Sequence, residues 1–475
     1  MLKLTPKTHK RIRDYLSDKS RLKELVDGLG SPLNLLFPKC PAENAREFLE
    51  VFNKNKIKGK VYFAHKPNKS QAIVRQLALE NIGIDVASHG ELVSALQAGF
   101  TGEKIQSTGP KNKKFIRLAL QHKVVIAVYS MDELLIISQI AAELKIARTR
   151  ILLRVCNFSS AHTKIYSKDT RFGIDIQKIE GVYKWLQKHT EIELIGLTFY
   201  LNTANITEKV IAIENSLKAL IIASSYGLSP SVLNIGGGFR ISYLESAVEW
   251  DRYISELKCC SVLEGSSSLT WDGSGLGYRN ENGTLKGSPQ FIDSFIDQTG
   301  PEEFSKILNT PLPAFSNTTF KQILDELLFE LWIEPGRAML DQAGITAAKV
   351  LSVKHSAKGE LVVALDINRS NLNSQDFIVL ANPTILYQTP KEHKNEIGVF
   401  FAGNTCLESD LLTRHKTFVD QLPEPEDIVV FHNTAAYIMD FAESNTLQQN
   451  TAKKIAITEI NNNFSWSLDD NYEPI

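Results

Sequence analysis

From about residue 60 the chain alternates short apolar, β-branched runs with amphipathic stretches of helical period. Val61–Lys66 (VYFAHK), Gly83–Ser88 (GIDVAS), Lys104–Thr108, Val124–Tyr129 (VVIAVY), Arg150–Val155 (RILLRV), Leu194–Leu201 (LIGLTFYL), Val232–Ile235 (VLNI) and Phe329–Ile333 (FELWI) read as strands. Helical patterns over Ser70–Glu80, Glu91–Gly99, Lys114–Gln121, Asp132–Leu144, Glu208–Tyr226 and Glu245–Leu257 fall between them. Strands buried on both faces read as continuous apolar runs, as these do. Strand–helix alternation repeated this often predicts an α/β fold, a closed (β/α)8 TIM barrel, over the open doubly wound sheet that is its structural alternative.

The pattern then changes. Residues 258–320 hold Gly, Ser, Asn and Pro clusters and read as an insertion on the barrel rim. After Arg337 the strand-like runs Ile345–Lys354, Glu360–Ile367, Phe377–Leu380, Val399–Ala402 and Asp427–Phe431 follow one another with few helical patterns between. They predict a second, mainly β, β-barrel-like domain. The expected division is a barrel over 37–340, with the insertion near 258–320, and a β-rich domain from 1–36 and 341–475.

Composition narrows the class. The chain has 475 residues, 43% hydrophobic and 23% charged, as in globular proteins and unlike disordered ones. Lys+Arg is 53 and Asp+Glu 54, a net charge of −1, so no basic excess points to nucleic acid or an anionic membrane. The five cysteines, Cys40, Cys156, Cys259, Cys260 and Cys406, form no C-x-x-C pair, and no metal site is expected. The basic start MLKLTPKTHKRIRDYL has no apolar core of signal-peptide length, and no apolar run approaches a membrane span. A cytoplasmic chain is expected.

In a (β/α)8 barrel the site lies at the C-terminal ends of the strands. Lys66 stands there on the first strand, Asp85 and Ser88 on the second, and Arg154 on the fifth. Tyr200, Asn202 and Thr203 end the sixth, Gly236-Gly237-Gly238 the seventh, and Glu334-Pro335-Gly336-Arg337 the eighth. Each has an ordinary reading: a solvated rim lysine, a tight turn, a surface ion pair. Together they fit one cofactor. A lysine can form a Schiff base with pyridoxal 5'-phosphate. Glycine N–H groups and Arg337 can hold its phosphate. A carboxylate, Glu334, can keep the pyridine nitrogen protonated and the ring a strong electron sink.

The stretch VYFAHKPNKS…GIDVASHGELVSALQAGF resembles the cofactor-lysine region of fold type III pyridoxal-phosphate decarboxylases, the diaminopimelate, ornithine and arginine decarboxylase superfamily. RFGID from Arg171, LNIGGGF from Leu233, IEPGR from Ile333, GNTCLESD from Gly403 and NTAAY from Asn433 follow in the family's order. The resemblance spans residues 61 to 437. It implies Lys66 as the Schiff-base lysine and Asp85, Glu91 and Arg154 as the polar network on the cofactor side. Gly236, Gly237, Gly238, Arg337 and Tyr437 would bind phosphate, with Thr203 in the place of a serine. Glu334 would face the ring nitrogen. Cys406 resembles the cysteine that protonates the carbanion after CO2 leaves. A homodimer with the active site at the interface is implied, the Cys406 segment coming from the partner.

Three departures stand out. The family's ring-stacking histidine, in a segment like H-x-G-S, is replaced by Tyr200-Leu201-Asn202-Thr203. Tyrosine can stack but is not cationic near neutrality. Pro67 follows the lysine where a small residue is usual. The acidic residue that directly follows the cysteine in ornithine- and diaminopimelate-type enzymes is Leu407 here, with Glu408 one step later. A leucine cannot compensate a distal ammonium.

The expected substrate is therefore a small-molecule amino acid, a diamino acid or its N-acyl conjugate such as a citryl-ornithine. The setting implied is siderophore or polyamine-type biosynthesis, since SYLESAVEW and LDINRSN look closer to the siderophore subgroup. Arg369, Leu407, Glu408 and Asp410 are the substrate candidates, and Arg414 and Lys416 lie near enough to meet added carboxylates. Two alternatives remain on the same fold. One is an amino-acid racemase, against which Glu334 argues, since racemases of this fold generally avoid a carboxylate there. The other is a catalytically impaired cofactor-binding or regulatory protein. A sugar- or phosphate-binding barrel enzyme is more distant.

Overall fold

The structure is a computed structural model that describes residues 2–160, 170–201, 203, 205–263, 269–374, 376–391, 396–461 and 463–474. Asn202 lies outside the described residues. The chain divides into two units: one of residues 42–240, 298–339 and 474–475, the other of 1–41, 241–297 and 340–473.

The first unit is a closed barrel. Its strands are β1 (Gly59–Ala64), β2 (Gly83–Val86), β3 (Ile105–Ser107), β4 (Val125–Val128), β5 (Thr149–Cys156), β6 (Ile192–Thr198), β7 (Val232–Asn234) and β8 (Glu330–Ile333). Each pairs in parallel with the next, β4 pairs β5, and β8 returns to β1, so no edge remains within the ring. Val125–Val128 shows why these runs form interior strands: four apolar residues, three of them β-branched, are all buried.

The helices between strands start where the strands end. Ser70, Ser88, Asn112 and Ser130 each accept the backbone N–H three residues on, from Ile73, Glu91, Phe115 and Glu133. Each satisfies a helix donor that would otherwise be orphaned and fixes the chain's turn out of the barrel. These caps hold the loops that carry the site.

The second unit is built on a nine-stranded sheet. Gly344–His355 is central. It pairs antiparallel with Leu33–Leu36, Leu361–Leu365 and Ile428–Phe431. Leu33–Leu36 runs parallel to Lys453–Ile460, so the N-terminal segment contributes a strand to this sheet. The eight barrel runs of the sequence are all strands. Phe377–Leu380 is not, since it forms only an isolated bridge from Val379 to Ile292. Thr384–Leu386, Thr417–Val419, Lys453–Ile460 and Asn463–Leu468 are strands that the pattern did not single out.

The contacts also group 241–297 with the β-rich unit and 298–339 with the barrel, where the patterning reads 258–320 as one rim insertion. The reason is packing. Helix Ala247–Val262 buries Tyr253 and Leu257 against Leu4, Leu276, Ile378 and Leu380, an apolar cluster of the β-rich unit.

Candidate functional site

Three turns at the C-terminal ends of β1, β7 and β8 are laced together by backbone. Ala64 N–H donates to Pro335 O at 3.3 Å and Glu334 N–H to Gly236 O at 2.9 Å. A Cβ on Gly237 would lie 2.3 Å from the Glu334 carbonyl oxygen, and one on Gly336 2.9 Å from Pro67. Both glycines are demanded by this close approach, and Gly236 and Gly238 by φ of +68° and +80°. Pro67 is thus a packing partner of the Glu-Pro-Gly-Arg turn, and an extended residue before it suits a strand end.

Polar side chains converge above these turns. Asp85, 6% exposed, accepts from Gln106 Nε2 on Oδ1 at 3.2 Å and from Thr108 Oγ1 on Oδ2 at 3.0 Å. Gln106 Nε2 also donates to Glu334 Oε1, and Asn234 Nδ2 donates to the same oxygen at 2.6 Å. Glu334 Oε2 makes no hydrogen bond among the described residues. Burial, with Glu334's negative charge beside it, pushes the Asp85 carboxyl well above the usual carboxylate range; Lys66 opposes this. Burial also raises Glu334, against its bonds from Asn234 and Gln106 and the charges of Arg154 and Lys66. Two acids joined through one amide in a largely buried site cannot both ionise freely, which makes them receptive to a cation or a shared proton.

Around them, the Lys66 ammonium lies 5.2 Å from the centre of the Tyr200 ring, a cation–π distance, and Tyr200 is 37% exposed. Glu91 accepts the Ala87 N–H at 2.6 Å, and burial raises its carboxyl while Lys66 opposes the rise. The Arg154 guanidinium stacks 5.0 Å from Phe172, which Arg171 covers at 4.6 Å, so the RFGID segment packs against Arg154. Thr203 Oγ1 accepts the Asn205 N–H at 3.0 Å just before helix Ile206–Ala223, leaving its hydroxyl proton to be donated. Arg337 is half-buried at the end of its turn.

The sequence reading missed several members. Gln106 and Asn234 are wholly buried in the strands that hold the site. Their signal was available: an amide inside a buried strand must find partners. Lys111, after β3, donates to the carbonyls of Gly109 and Ala127 at 2.8 and 2.7 Å and pairs with Glu133 at 3.3 Å. Lys209 reaches Gly238 O at 3.4 Å and Glu303 at 3.1 Å, steadying the glycine turn.

The remaining predicted residues lie in the β-rich unit. Cys406 is exposed on the loop after Ile397–Ala402, with Leu407 beside it 42% exposed. Asp410, expected to meet substrate, is instead 3% exposed and organises this loop. It accepts from Thr405 N and Oγ1 at 2.9 and 2.6 Å and from Arg369 N at 2.9 Å. The Arg369 guanidinium donates to Ser409 O at 3.0 Å, and Glu408 is exposed. Lys416 is committed to Glu360 at 2.8 Å. The Tyr437 ring stacks on Phe377 at 5.2 Å.

A barrel mouth that combines a lysine, a glycine turn and an acid with one oxygen unbonded among the described residues fits an enzyme that holds a phosphorylated, nitrogen-ring cofactor. The residues fit such a group: the turn excludes side chains where backbone would meet a phosphate, and Glu334 Oε2 could meet a ring N–H. Comparison with known proteins identifies the group. Residues 42–261 match the pyridoxal binding domain of pyridoxal-dependent decarboxylases. The chain is 28% identical over 437 residues to the diaminopimelate decarboxylase of Bacillus methanolicus, covering 87% of this chain and 85% of that one. It is 30% identical over 397 residues to the L-glutamyl-[BtrI acyl-carrier protein] decarboxylase of Niallia circulans, covering 80% and 78%. Among solved structures it resembles the fold of Helicobacter pylori diaminopimelate decarboxylase complexed with L-lysine, with a TM-score of 0.69, 20% identity, and coverage of 94% and 95%. The chain belongs to the fold type III pyridoxal-phosphate-dependent decarboxylases, and its cofactor is pyridoxal 5'-phosphate. No described helix is long and apolar enough to cross a membrane.

Proposed function

We propose that this decarboxylase acts on an amino acid whose distal nitrogen is acylated or otherwise not a free ammonium, with a citrate-conjugated diamino acid of siderophore assembly as the leading case. The observation that carries the reading is Leu407. It is 42% exposed directly after Cys406, where an ornithine- or diaminopimelate-type enzyme would carry an acid. An ammonium brought there would lose water and gain no partner. Arg369, bound to the same loop through Ser409 O, would instead suit a carboxylate. The Niallia circulans relative, by its name a decarboxylase of a carrier-linked glutamyl group, supports a conjugated substrate.

The roles are those the family resemblance implies. When bound, the cofactor supplies an electron sink for the carbanion that CO2 loss leaves on Cα. Lys66 would hold it covalently, and Gly236, Gly237, Gly238, Thr203, Arg337 and Tyr437 its phosphate. Asp85, Glu91 and Arg154 would set the charge around Lys66. Glu334 would hold the ring nitrogen's proton through Oε2, and Tyr200 would offer a flat face to the ring. Cys406 would return a proton to Cα. We place the working site in a homodimer, Cys406 coming from the partner subunit.

The test is CO2 release from citryl-ornithine beside free ornithine, lysine and diaminopimelate, with Lys66→Ala as the blank. Faster release from the conjugate is expected, and faster release from any free diamino acid overturns the reading. Absence in Lys66→Ala of the visible absorption band of lysine-bound cofactor checks the anchoring residue.

A further inference from the structure

The backbone of the glycine turn dictates the polarity of the whole buried network. Gly236 N–H can only donate, and it lies 2.8 Å from one side-chain atom of Asn234. That atom is therefore the carbonyl oxygen, and the Asn234 Nδ2 faces the other way. It meets Glu334 Oε1 at 2.6 Å and Gln106 at 3.2 Å. The Gln106 atom that faces a donor must accept, so it is Oε1. Gln106 Nε2 then faces Asp85 Oδ1 and Glu334 Oε1. An amide nitrogen has hydrogens to give and no lone pair, so both carboxylate oxygens accept. Glu334 Oε1, with two N–H donors on it, carries no proton. Any proton this pair holds sits on Glu334 Oε2, or on Asp85 Oδ2 against Thr108.

We propose that Gln106 is a positioning residue: with Asn234 it forms a one-way hydrogen-bond chain from the glycine turn to both carboxylates. This chain reserves Glu334 Oε2 as the only oxygen of that side chain that exchanges a proton with the cofactor ring. The inference rests on the reading that Glu334 faces the ring nitrogen. It adds that the phosphate end and the ring end of the cofactor site share one rigid polar path, Gly236 to Asn234 to Gln106. The other charged or titratable groups directed at this pair are Lys66 and Tyr62 at β1, Lys111 after β3 and Arg154 on β5. None of them bonds to Glu334 Oε1 in place of Gln106 among the described residues.

The test loads wild type, Gln106→Leu and Gln106→Glu with pyridoxal phosphate carrying an isotope-labelled ring nitrogen. The nitrogen NMR shift across pH reports where the ring proton is lost, and titration gives the cofactor dissociation constant. Removing one donor makes the Glu334 carboxylate more basic, so its grip on the ring proton strengthens. In Gln106→Leu the nitrogen is expected to titrate about one pH unit higher, a tenfold change in proton affinity. Gln106→Glu keeps the size but turns an acceptor toward two acids, and a larger shift in the same direction is expected. It decides the matter if the leucine variant does not fold. A variant that binds cofactor and titrates at the wild-type pH overturns the inference. A wild type that takes up no cofactor overturns the underlying reading, and this one with it.

Discussion

The barrel encloses an acid pair, Asp85 and Glu334, and the β-rich unit encloses two histidines, His415 and His432. Asp85 and Glu334 are held above the usual carboxylate range by burial. His415 and His432 are lowered from 6.5 to about 4 by the same cause. Burial suppresses charge in both places, but the surroundings differ. His432 is complete, with Thr8 Oγ1 at 3.1 Å on Nδ1 and Thr384 Oγ1 at 2.7 Å on Nε2. Glu334 is not, since among the described residues its bonds fall on one oxygen and leave the other open. A buried titratable group with every atom partnered reads as structure. One left with an open atom beside a glycine turn and a lysine reads as function.

The largest effect expected from this contrast comes on acidification of the cofactor-free protein. The histidines are depressed, so the stability they confer is present above 6.5 and is lost as pH falls through about 4. The unfolded chain binds their protons first, at a cost of roughly 3 kcal/mol per histidine. The barrel acids run the other way. Their carboxyls are raised, so the folded state binds protons first. Their contribution is fully present below the ordinary carboxyl value of about 4 and is lost as pH rises through the raised values. Between about pH 6.5 and 4 the β-rich unit should therefore weaken while the barrel's acids favour folding. Hydrogen exchange read separately over the two units checks this. Barrel strands that lose protection before Gly344–His355 and Ile428–Phe431 would contradict the assignment.

A smaller effect is expected at the glycine turn. Gly237→Ala places a methyl 2.3 Å from the Glu334 carbonyl, and the turn must move. Overpacking of this kind costs about 2 kcal/mol. It also displaces the backbone that ties Gly236 to Glu334, so cofactor retention should fall by more than tenfold. Gly181→Ala is the control, since nothing lies within 4 Å of a Cβ there in helix Ile179–Leu186. It should keep the cofactor and gain about 0.5 kcal/mol. Equal cofactor loss in both variants would remove the turn's special role.

Much of the barrel was legible because its signal is local. Val125–Val128 and residues 151–153 are apolar runs whose burial the sequence states directly. Lys66, Glu334 and the glycines stand at strand ends; each alone has an ordinary reading, and their joint placement and the family motifs single them out. The β-rich unit was less legible because its sheet joins distant segments. Leu33–Leu36 lies between Gly344–His355 and Lys453–Ile460, and no local pattern announces that pairing. Phe377–Leu380 has strand-like residues, but its neighbours pack it on helix Ala247–Val262 instead of in a ladder. Asp410 is a related case. Its motif suggests substrate, and only the fold shows that Thr405 and Arg369 consume its oxygens. Gln106 was overlooked because a single polar residue in a weak strand resembles an exposed one until the barrel closes around it.

Asp410 therefore leaves Leu407 as the sharpest point at which the two units' chemistry can be separated. In the proposed function the barrel network would set how the cofactor is held, and the Cys406 loop what it acts on. Leu407→Glu changes only the loop. At 42% exposure the substitution should alter stability by less than about 0.5 kcal/mol. It restores an anion where a distal ammonium would arrive, worth about 1 kcal/mol when partly desolvated. Turnover of free ornithine or lysine relative to the acylated conjugate should rise about fivefold, with the cofactor spectrum unchanged. The comparison is a ratio of kcat/KM values, so an equal loss of activity on both substrates cancels. An unchanged ratio would mean that the distal end of the substrate never meets residue 407, and the conjugate preference would have to be sought elsewhere on the chain.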